Sequence, residues 1–203
     1  MKRFPYALLA LALGCSCASV NDEEVAKQAV TVMKASFGER GQARLDRLDQ
    51  DDAQRLCSIP PSAVLPKDVA ERIEKVSLAT IKYPADGKLL GNWRDGEKIA
   101  QSGIGKQYSD DPKLPSGANC YACHQLTGDE ISFGTIGPSL YNFGKVRGNS
   151  AEIQRYAYGK IYNSQAYSAC SNMPRFGHNG ILTEQQIKDV TALLMDPASP
   201  VNK

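Results

Sequence analysis

Apolar residues recur at helical spacing in four stretches of the chain, whereas the strict alternation of apolar and polar residues that marks a strand is scarce. The four stretches are residues 21–56, 68–81, 92–100 and 183–195. A Pro-rich connector, residues 58–66, separates the first two. The pattern predicts an all-α protein.

The first stretch carries both a start signal and an interruption. Asn21 or Asp22 is placed to cap it, and Gly38 and Gly41 interrupt it before residue 56. Its apolar stripe consists of Val25, Ala29, Met33 and Phe37. The spacing predicts a helical segment near the N-terminus, with one apolar face.

The second and last stretches have equally clear apolar faces. The apolar residues of the second are Val69, Ile73 and Val76. In the last, Thr183 and Gln186 form a capping box and Pro197 ends the helix. Its apolar face consists of Ile187, Val190, Leu193 and Leu194. Met33 and Met195 lie on such faces, which is typical of core methionines.

The N-terminus has the three parts of a secretory signal peptide. Lys2 and Arg3 precede an apolar run, residues 7–13, and small residues follow. Because this run is shorter than a membrane-spanning helix, we expect a periplasmic protein without a membrane span, cleaved after Ala18. The alternative is a lipoprotein signal with the lipid on Cys15, although an Ala stands where such signals usually have Leu.

Composition narrows the class of protein further. The 203 residues include 24 Lys and Arg against 22 Asp and Glu, a formal charge of +2, which gives no basis for a nucleic-acid partner. Hydrophobic residues at 42% and charged residues at 23% are typical of a globular domain. The six cysteines and two histidines are the candidate chemistry.

A CxxCH motif lies at Cys120, Cys123 and His124. Two thiols at this spacing can add to the two vinyl groups of one porphyrin, and the adjacent histidine can then bind its iron. The spacing therefore predicts one covalently bound haem c, attached through Cys120 and Cys123, with His124 as an iron ligand.

The CxxC spacing has two other possible uses. A zinc site would need two more ligands from Cys57, Cys170, His178 and acidic residues, which are irregularly spaced. A thioredoxin-type pair would follow a strand in a βαβ unit, and no such pattern is present in the sequence. Both remain alternatives to haem attachment.

The second iron ligand must come from another part of the chain. Met173 precedes Pro174, which has no backbone N–H and stiffens the loop that presents the sulfur. Paired His and Met ligands raise the reduction potential, as suits an electron carrier. Met173 is the predicted ligand, with His178, Cys170 and an open position as the alternatives.

Several polar groups are candidates to support the haem. Gly137 and Pro138 resemble the Gly-Pro pair found at about this place in class I cytochromes c, which implies that the Pro138 carbonyl accepts the second ring proton of His124, although a plain turn is the alternative. Arg147 pairs with a haem propionate or is simply solvated. Five tyrosines crowd the same half of the chain, where some contact haem and others fill the core: Tyr141, Tyr156, Tyr158, Tyr162 and Tyr167.

Cys57 and Cys170 remain once the signal and the haem have taken the other four cysteines. In an oxidising compartment we expect them to pair, which would brace the loop holding Met173. Free buried thiols and a disulfide to a partner are the alternatives. Neither cysteine has the basic neighbours of a reactive thiolate.

Taken together, these motifs resemble SoxX, the monohaem subunit of the SoxAX cytochromes of sulfur-oxidising bacteria. The resemblance covers residues 67–203, with residues 20–66 as a more variable extension. The segments that carry it are residues 91–97 (GNWRDGE), 109–112 (SDDP), 119–125 (NCYACHQ), 134–140 (GTIGPSL), 173–177 (MPRFG), 182–187 (LTEQQI) and 196–202 (DPASPVN).

The resemblance implies a fold, a role and partners. The fold is a class I cytochrome c-like haem domain, residues 88–203, after an 18-residue signal peptide and a helical extension, residues 19–87. The role is to relay electrons within SoxAX, an L-cysteine S-thiosulfosulfotransferase that joins thiosulfate to a cysteine of the SoxYZ carrier. The partners are a SoxA-like monohaem or dihaem subunit in a heterodimer, SoxYZ, and a small cytochrome c acceptor. No catalytic residue of the sulfur chemistry transfers to this chain.

Two other function classes compete with this one. A free-standing periplasmic cytochrome c would carry electrons without a fixed partner, and such shuttles tend to have a charged docking face that this sequence lacks. An enzyme acting at its own haem, such as a peroxidase, would need an open sixth position on the iron.

Overall fold

The computed structural model describes residues 21–60 and 62–203, and its regular secondary structure is helical. Seven α-helices follow in order: α1 Asp22–Ser36, α2 Asp52–Cys57, α3 Lys67–Ala79, α4 Trp93–Gln101, α5 Phe143–Arg147, α6 Ala151–Tyr162 and α7 Glu184–Met195. Short 3-10 turns lie at Leu45–Leu48, Cys120–Ala122, Ser164–Ala166 and Pro200–Asn202. Within the described ranges no strand forms, so the predicted all-α class is confirmed.

The chain divides into two compact units, residues 1–38 and 39–203. In the first unit, the side chain of Asn21 accepts a hydrogen bond from the Glu23 N–H and caps α1, as predicted. The predicted helical stretch to residue 56 is broken in the second unit, where Gly41 has a φ of +53° and the next helix begins at Asp52. None of the residues of α1 is buried.

Helix α3 matches its predicted range but not its predicted inner face. Ile73 is buried, whereas Val76 is 61% exposed and Ser77 takes the inner position beside it. Hydrogen bonds explain this inner face, because the side-chain amide of Asn163 donates to the Ser77 carbonyl at 3.4 Å and to the Thr80 hydroxyl at 3.0 Å. Satisfying that buried amide fixes the rotation of the helix.

Helices α4 and α7 pack against each other at the centre of the second unit. A Cβ on Gly96 would lie 2.1 Å from the Asp189 carbonyl oxygen, so only glycine allows the helices to come this close. The buried Asp189 carboxylate accepts 2.8 Å hydrogen bonds from the Asn92 N–H and the Gln185 amide. The predicted capping box of Thr183 and Gln186 begins α7, and its predicted apolar face is buried.

Helix α6 was not predicted from the sequence. Ser150 caps it by accepting the Ile153 N–H, and its inner side buries Ala157, Tyr158 and Ile161. Its tyrosines and a central glycine obscure the apolar repeat; Gly159 is needed because a Cβ there would lie 2.3 Å from the Tyr167 hydroxyl oxygen. The helix supplies one side of the site described below.

The N-terminal predictions lie outside the described residues. These are the signal peptide, its cleavage after Ala18 and the lipid on Cys15. Among the residues that the structure does describe, no helix is long and apolar enough to cross a membrane. The domain boundaries at residues 18 and 87 stay predictions.

Candidate functional site

A cavity of about 450 Å³ lies inside the second unit, and the residues singled out by the sequence meet there. Cys120, Cys123, His124 and Met173 all line it. Most of the remaining lining is apolar: Ala100, Leu126, Ile136, Pro138, Leu140, Phe143, Ala157, Ile161, Val190, Leu193 and Leu194. Its size and its apolar lining are those of a small-molecule or cofactor site.

The CxxCH segment is shaped by a tight 3-10 turn. Asn119 starts the turn in the left-handed region, with a φ of +46°. The Cys120 carbonyl accepts hydrogen bonds from the N–H groups of Cys123 at 3.1 Å and His124 at 2.9 Å. Both cysteines are free, so two thiols and an imidazole face one cavity from a single turn of chain.

The environment of Cys120 suits a neutral thiol rather than a thiolate. Burial raises the pKa of the Cys120 thiol to about 12, so the sulfur keeps its proton at neutral pH. A redox CxxC pair instead depends on a cysteine whose pKa is lowered. In the described part of the chain, no three His, Cys, Asp or Glu side chains are grouped to hold a metal ion.

His124 is held by the loop that follows the motif, residues 134–138. Its Nδ1–H donates to the Pro138 carbonyl at 2.7 Å, which is the hydrogen bond expected from the Gly-Pro pair. This bond leaves Nε2 as the ring nitrogen with a free lone pair. Backbone hydrogen bonds from Gly134 to Tyr121 and from Gly137 to Cys123 fasten the segment to the motif.

Gly137 has a steric reason to be glycine. A Cβ at this position would lie 2.1 Å from Cε1 of the His124 ring, so any side chain would displace the imidazole. The ring is thus packed against bare backbone on one side while the Pro138 carbonyl sets its rotation.

Met173 lines the cavity, whereas the side chains of the alternative second ligands, His178 and Cys170, are not available in it. His178 is absent from the lining, and Cys170 is bonded to Cys57 in the disulfide that the sequence predicted. The Ser164 hydroxyl donates to the Met173 carbonyl at 2.6 Å and holds the backbone that presents the thioether. The assignment of Met173 as a ligand remains a prediction.

A polar group at the cavity was missed in the sequence. Lys160 lines it, and its ammonium donates to the Ser164 carbonyl at 3.1 Å, while burial lowers the pKa of this amine. Tyr156, one turn earlier on α6, also lines the cavity. Recognising α6 from its Ser150 cap would have placed both side chains on one helical face.

Arg147 and the tyrosines divide between cavity and core. Arg147 is exposed but lines the cavity, and its guanidinium lies 5.3 Å from the Phe143 ring centroid. Of the five tyrosines, Tyr156 lines the cavity, whereas Tyr158 is fully buried and donates to the Lys82 carbonyl at 3.2 Å. A pairing of Arg147 with a propionate stays a prediction.

These side chains fit a haem attached through two thioethers. The lining offers two neutral thiols on one turn, an imidazole with one nitrogen available, a thioether and an apolar wall. Cations at Arg147 and Lys160 are available for the two carboxylates of a porphyrin.

Comparison with known proteins agrees with this chemistry. The cytochrome c family matches residues 95–196. An uncharacterized lipoprotein of Aquifex aeolicus (strain VF5) is 42% identical over 161 residues, which cover 76% of this chain and 73% of the relative.

We predict that Gly137→Ala destabilises the protein by about 1–3 kcal/mol, because the new methyl group overpacks the His124 ring. Urea unfolding of the protein as purified measures this. Pro138→Ala is the matched control, since the acceptor for His124 is a backbone carbonyl, and its expected cost is below about 1 kcal/mol. An unfolding midpoint for Gly137→Ala equal to that of the wild type would contradict the packing described here.

Proposed function

The chain belongs to the cytochrome c family, whose members carry covalently bound haem c, and from this premise we propose that it transfers electrons through a single haem. The proposal depends chiefly on one observation, which is that Cys120, Cys123, His124 and Met173 line the same cavity. A haem bound there supplies one-electron oxidation and reduction of its iron.

The protein groups have separate tasks in this proposal. Cys120 and Cys123 would hold the haem as two thioethers, since each thiol can add across one vinyl group, its sulfur to one carbon and its proton to the other, without an oxidant. His124 binds iron through Nε2 while its Nδ1–H donates to the Pro138 carbonyl. That second hydrogen bond fixes the imidazole and strengthens it as a ligand.

Met173 completes the iron's ligands with a soft, neutral sulfur. Iron held by both His124 and Met173 would have no open position for a substrate, which favours a relay over an enzyme acting at its own haem. The apolar lining excludes water and keeps the change in solvent ordering during electron transfer small.

We further propose that the chain is SoxX-like, the electron-transfer subunit of a SoxAX complex in the periplasm. What supports this is the run of resembling segments on both sides of the haem motif, from residues 91–97 to residues 196–202. In that role a SoxA-like subunit forms the heterodimer and carries the catalytic haem. This chain passes electrons to a small cytochrome c while thiosulfate is joined to SoxYZ, so its part in the thiosulfosulfotransferase activity is redox only.

Affinity purification from cells grown on thiosulfate tests the SoxAX proposal. If the proposed heterodimer forms, we expect the tagged chain to be recovered with a second, larger haem-bearing protein in equal amount. Tagging at the C-terminus keeps the export signal intact, and cells grown without thiosulfate are the control. Recovery of the chain alone would favour the free-standing electron shuttle and would contradict the SoxAX assignment.

The name of the Aquifex relative bears on how the exported protein is held. That relative is called a lipoprotein, which favours the second interpretation of the N-terminal signal, with Cys15 as the lipid-bearing residue. A lipid there would tether the haem domain to a membrane surface through residues 16–38.

Membrane fractionation separates the two interpretations of the signal. With a lipid on Cys15, we expect the wild-type chain and the Cys17→Ser control in the membrane fraction, and the Cys15→Ser variant to lose its acyl groups by mass spectrometry. If instead the signal is cleaved after Ala18, all three proteins will be released with the soluble periplasm and begin at Ser19. That second result would exclude the lipid anchor without affecting the haem site.

A further inference from the structure

The segment that presents Met173 is fastened from outside the part of the chain that matches the cytochrome c family. We call residues 163–178 the methionine segment, and residues 51–57 together with 74–80 the clamp segments. The clamp segments precede the matched residues 95–196, yet they contact the methionine segment on both sides of Met173. We propose that the clamp segments position the Met173 thioether as an iron ligand, through the Cys57–Cys170 disulfide and the Asp51–Arg175 ion pair.

The disulfide is the contact before Met173. It joins Cys57, the last residue of α2, to Cys170, with 5.4 Å between the two Cα atoms. Cys170 has a φ of +58°, in the left-handed region that a residue with a Cβ seldom adopts. A covalent link at this residue restricts the backbone of the methionine segment shortly before Met173.

The ion pair is the contact after Met173. An Arg175 Nη2 lies 2.7 Å from an Asp51 carboxylate oxygen, and the Arg175 side chain is only 9% exposed. The other Asp51 oxygen accepts the Gln54 N–H at 2.8 Å and caps α2. Partial burial acts to raise the pKa of Asp51, but the Gln54 and Arg175 contacts outweigh it and keep the pKa below its usual value.

Arg175 therefore depends on Asp51. A guanidinium this buried is costly without a partner, since it has given up most of its hydration. Because Arg175 lies two residues after Met173 and next to the buried Phe176, a displaced Arg175 would move the backbone of the methionine segment.

Helix α3 holds the start of the methionine segment. The Glu74 carboxylate accepts the Ala169 N–H at 3.1 Å, and the Asn163 amide donates to Ser77 and Thr80. Ser164, next to Asn163, donates to the Met173 carbonyl. The clamp thus reaches the ligand residue through one further hydrogen bond.

The methionine segment has little regular structure with which to hold itself. Beyond the end of α6 at Tyr162 it contains one 3-10 turn, Ser164–Ala166, and the next helix begins only at Glu184. Its backbone hydrogen bonds near Met173 are short-range turns, such as Ser171 N–H to the Ser168 carbonyl, and only its far end, the N–H groups of Gly177 and His178, donates back to the Tyr162 carbonyl. Loops of this kind keep one geometry only where outside contacts restrict them.

This positioning role rests on the proposed function and has a consequence that binding studies measure. A neutral thioether competes with added imidazole for the sixth position of ferric iron. If the clamp keeps the Met-detached state rare, loosening the clamp raises the population of that state and raises the apparent imidazole affinity by the same factor.

The experiment compares imidazole affinity and reduction potential across matched variants of the full chain. Arg175→Met keeps an unbranched apolar stem in place of the arginine side chain and removes its charge, and Asp51→Asn keeps a capping side chain for α2. Asp52→Asn is the control, because it breaks the neighbouring pair of Asp52 with Arg55, which is exposed and is neither of the two contacts through which we propose that the clamp acts. A double variant, Asp51→Asn with Arg175→Met, measures the coupling between the two residues.

We expect imidazole to bind about tenfold more tightly to either single ion-pair variant, with a lowered reduction potential, and no change in Asp52→Asn. The double variant should resemble the single ones rather than add to them. Reducing the disulfide of the folded wild-type protein with a dithiol gives an independent measurement and is expected to act in the same direction, even where a variant fails to fold.

Two results would overturn the proposal. The first is a lower free energy of unfolding in the clamp variants with imidazole affinity and potential unchanged, because the contacts would then serve stability alone. The second is a wild-type protein that binds imidazole as readily as Met173→Ala. In that case Met173 is not an iron ligand, and the ligand set fails independently of the clamp.

Discussion

The two proposed iron ligands come from segments that are far apart in sequence, and bringing both to one cavity is the constraint on which the second unit depends. His124 comes from a tight turn at the centre of the chain, and Met173 comes from a loop between α6 and α7. Each ligand is fixed by a hydrogen bond to backbone: His124 donates to the Pro138 carbonyl, and the Met173 carbonyl accepts from Ser164. The remaining elements keep these two segments at one cavity.

Helices α4 and α7 cross and supply the apolar wall between the segments that carry His124 and Met173. Gly96 lets the helices approach until backbone meets backbone, and the buried Asp189 carboxylate ties the start of α4 to the middle of α7. The same two helices contribute Ala100, Val190 and other apolar residues to the cavity lining. Residues 91–97, one of the segments that resemble SoxX, therefore contribute to helix packing more than to chemistry.

The sequence predicted the parts of this structure that short-range physics determines. The CxxCH spacing, the Asn21 cap and the Thr183–Gln186 capping box all depend on residues within one turn of each other. It missed α6, and with it Lys160, because tyrosines and Gly159 hide the apolar period. It misplaced Val76, since a buried amide of Asn163, remote in sequence, sets the rotation of α3. The Asp51–Arg175 pair is likewise long-range, and no local sequence pattern predicts it.

Near-infrared magnetic circular dichroism of the oxidised protein tests the central claim, that His124 and Met173 are the two axial ligands. The account predicts a thioether-to-ferric-iron charge-transfer band in the wild-type protein and in His178→Ala, and its loss in Met173→Ala. A band that survives in Met173→Ala, or a wild-type spectrum without one, would contradict it.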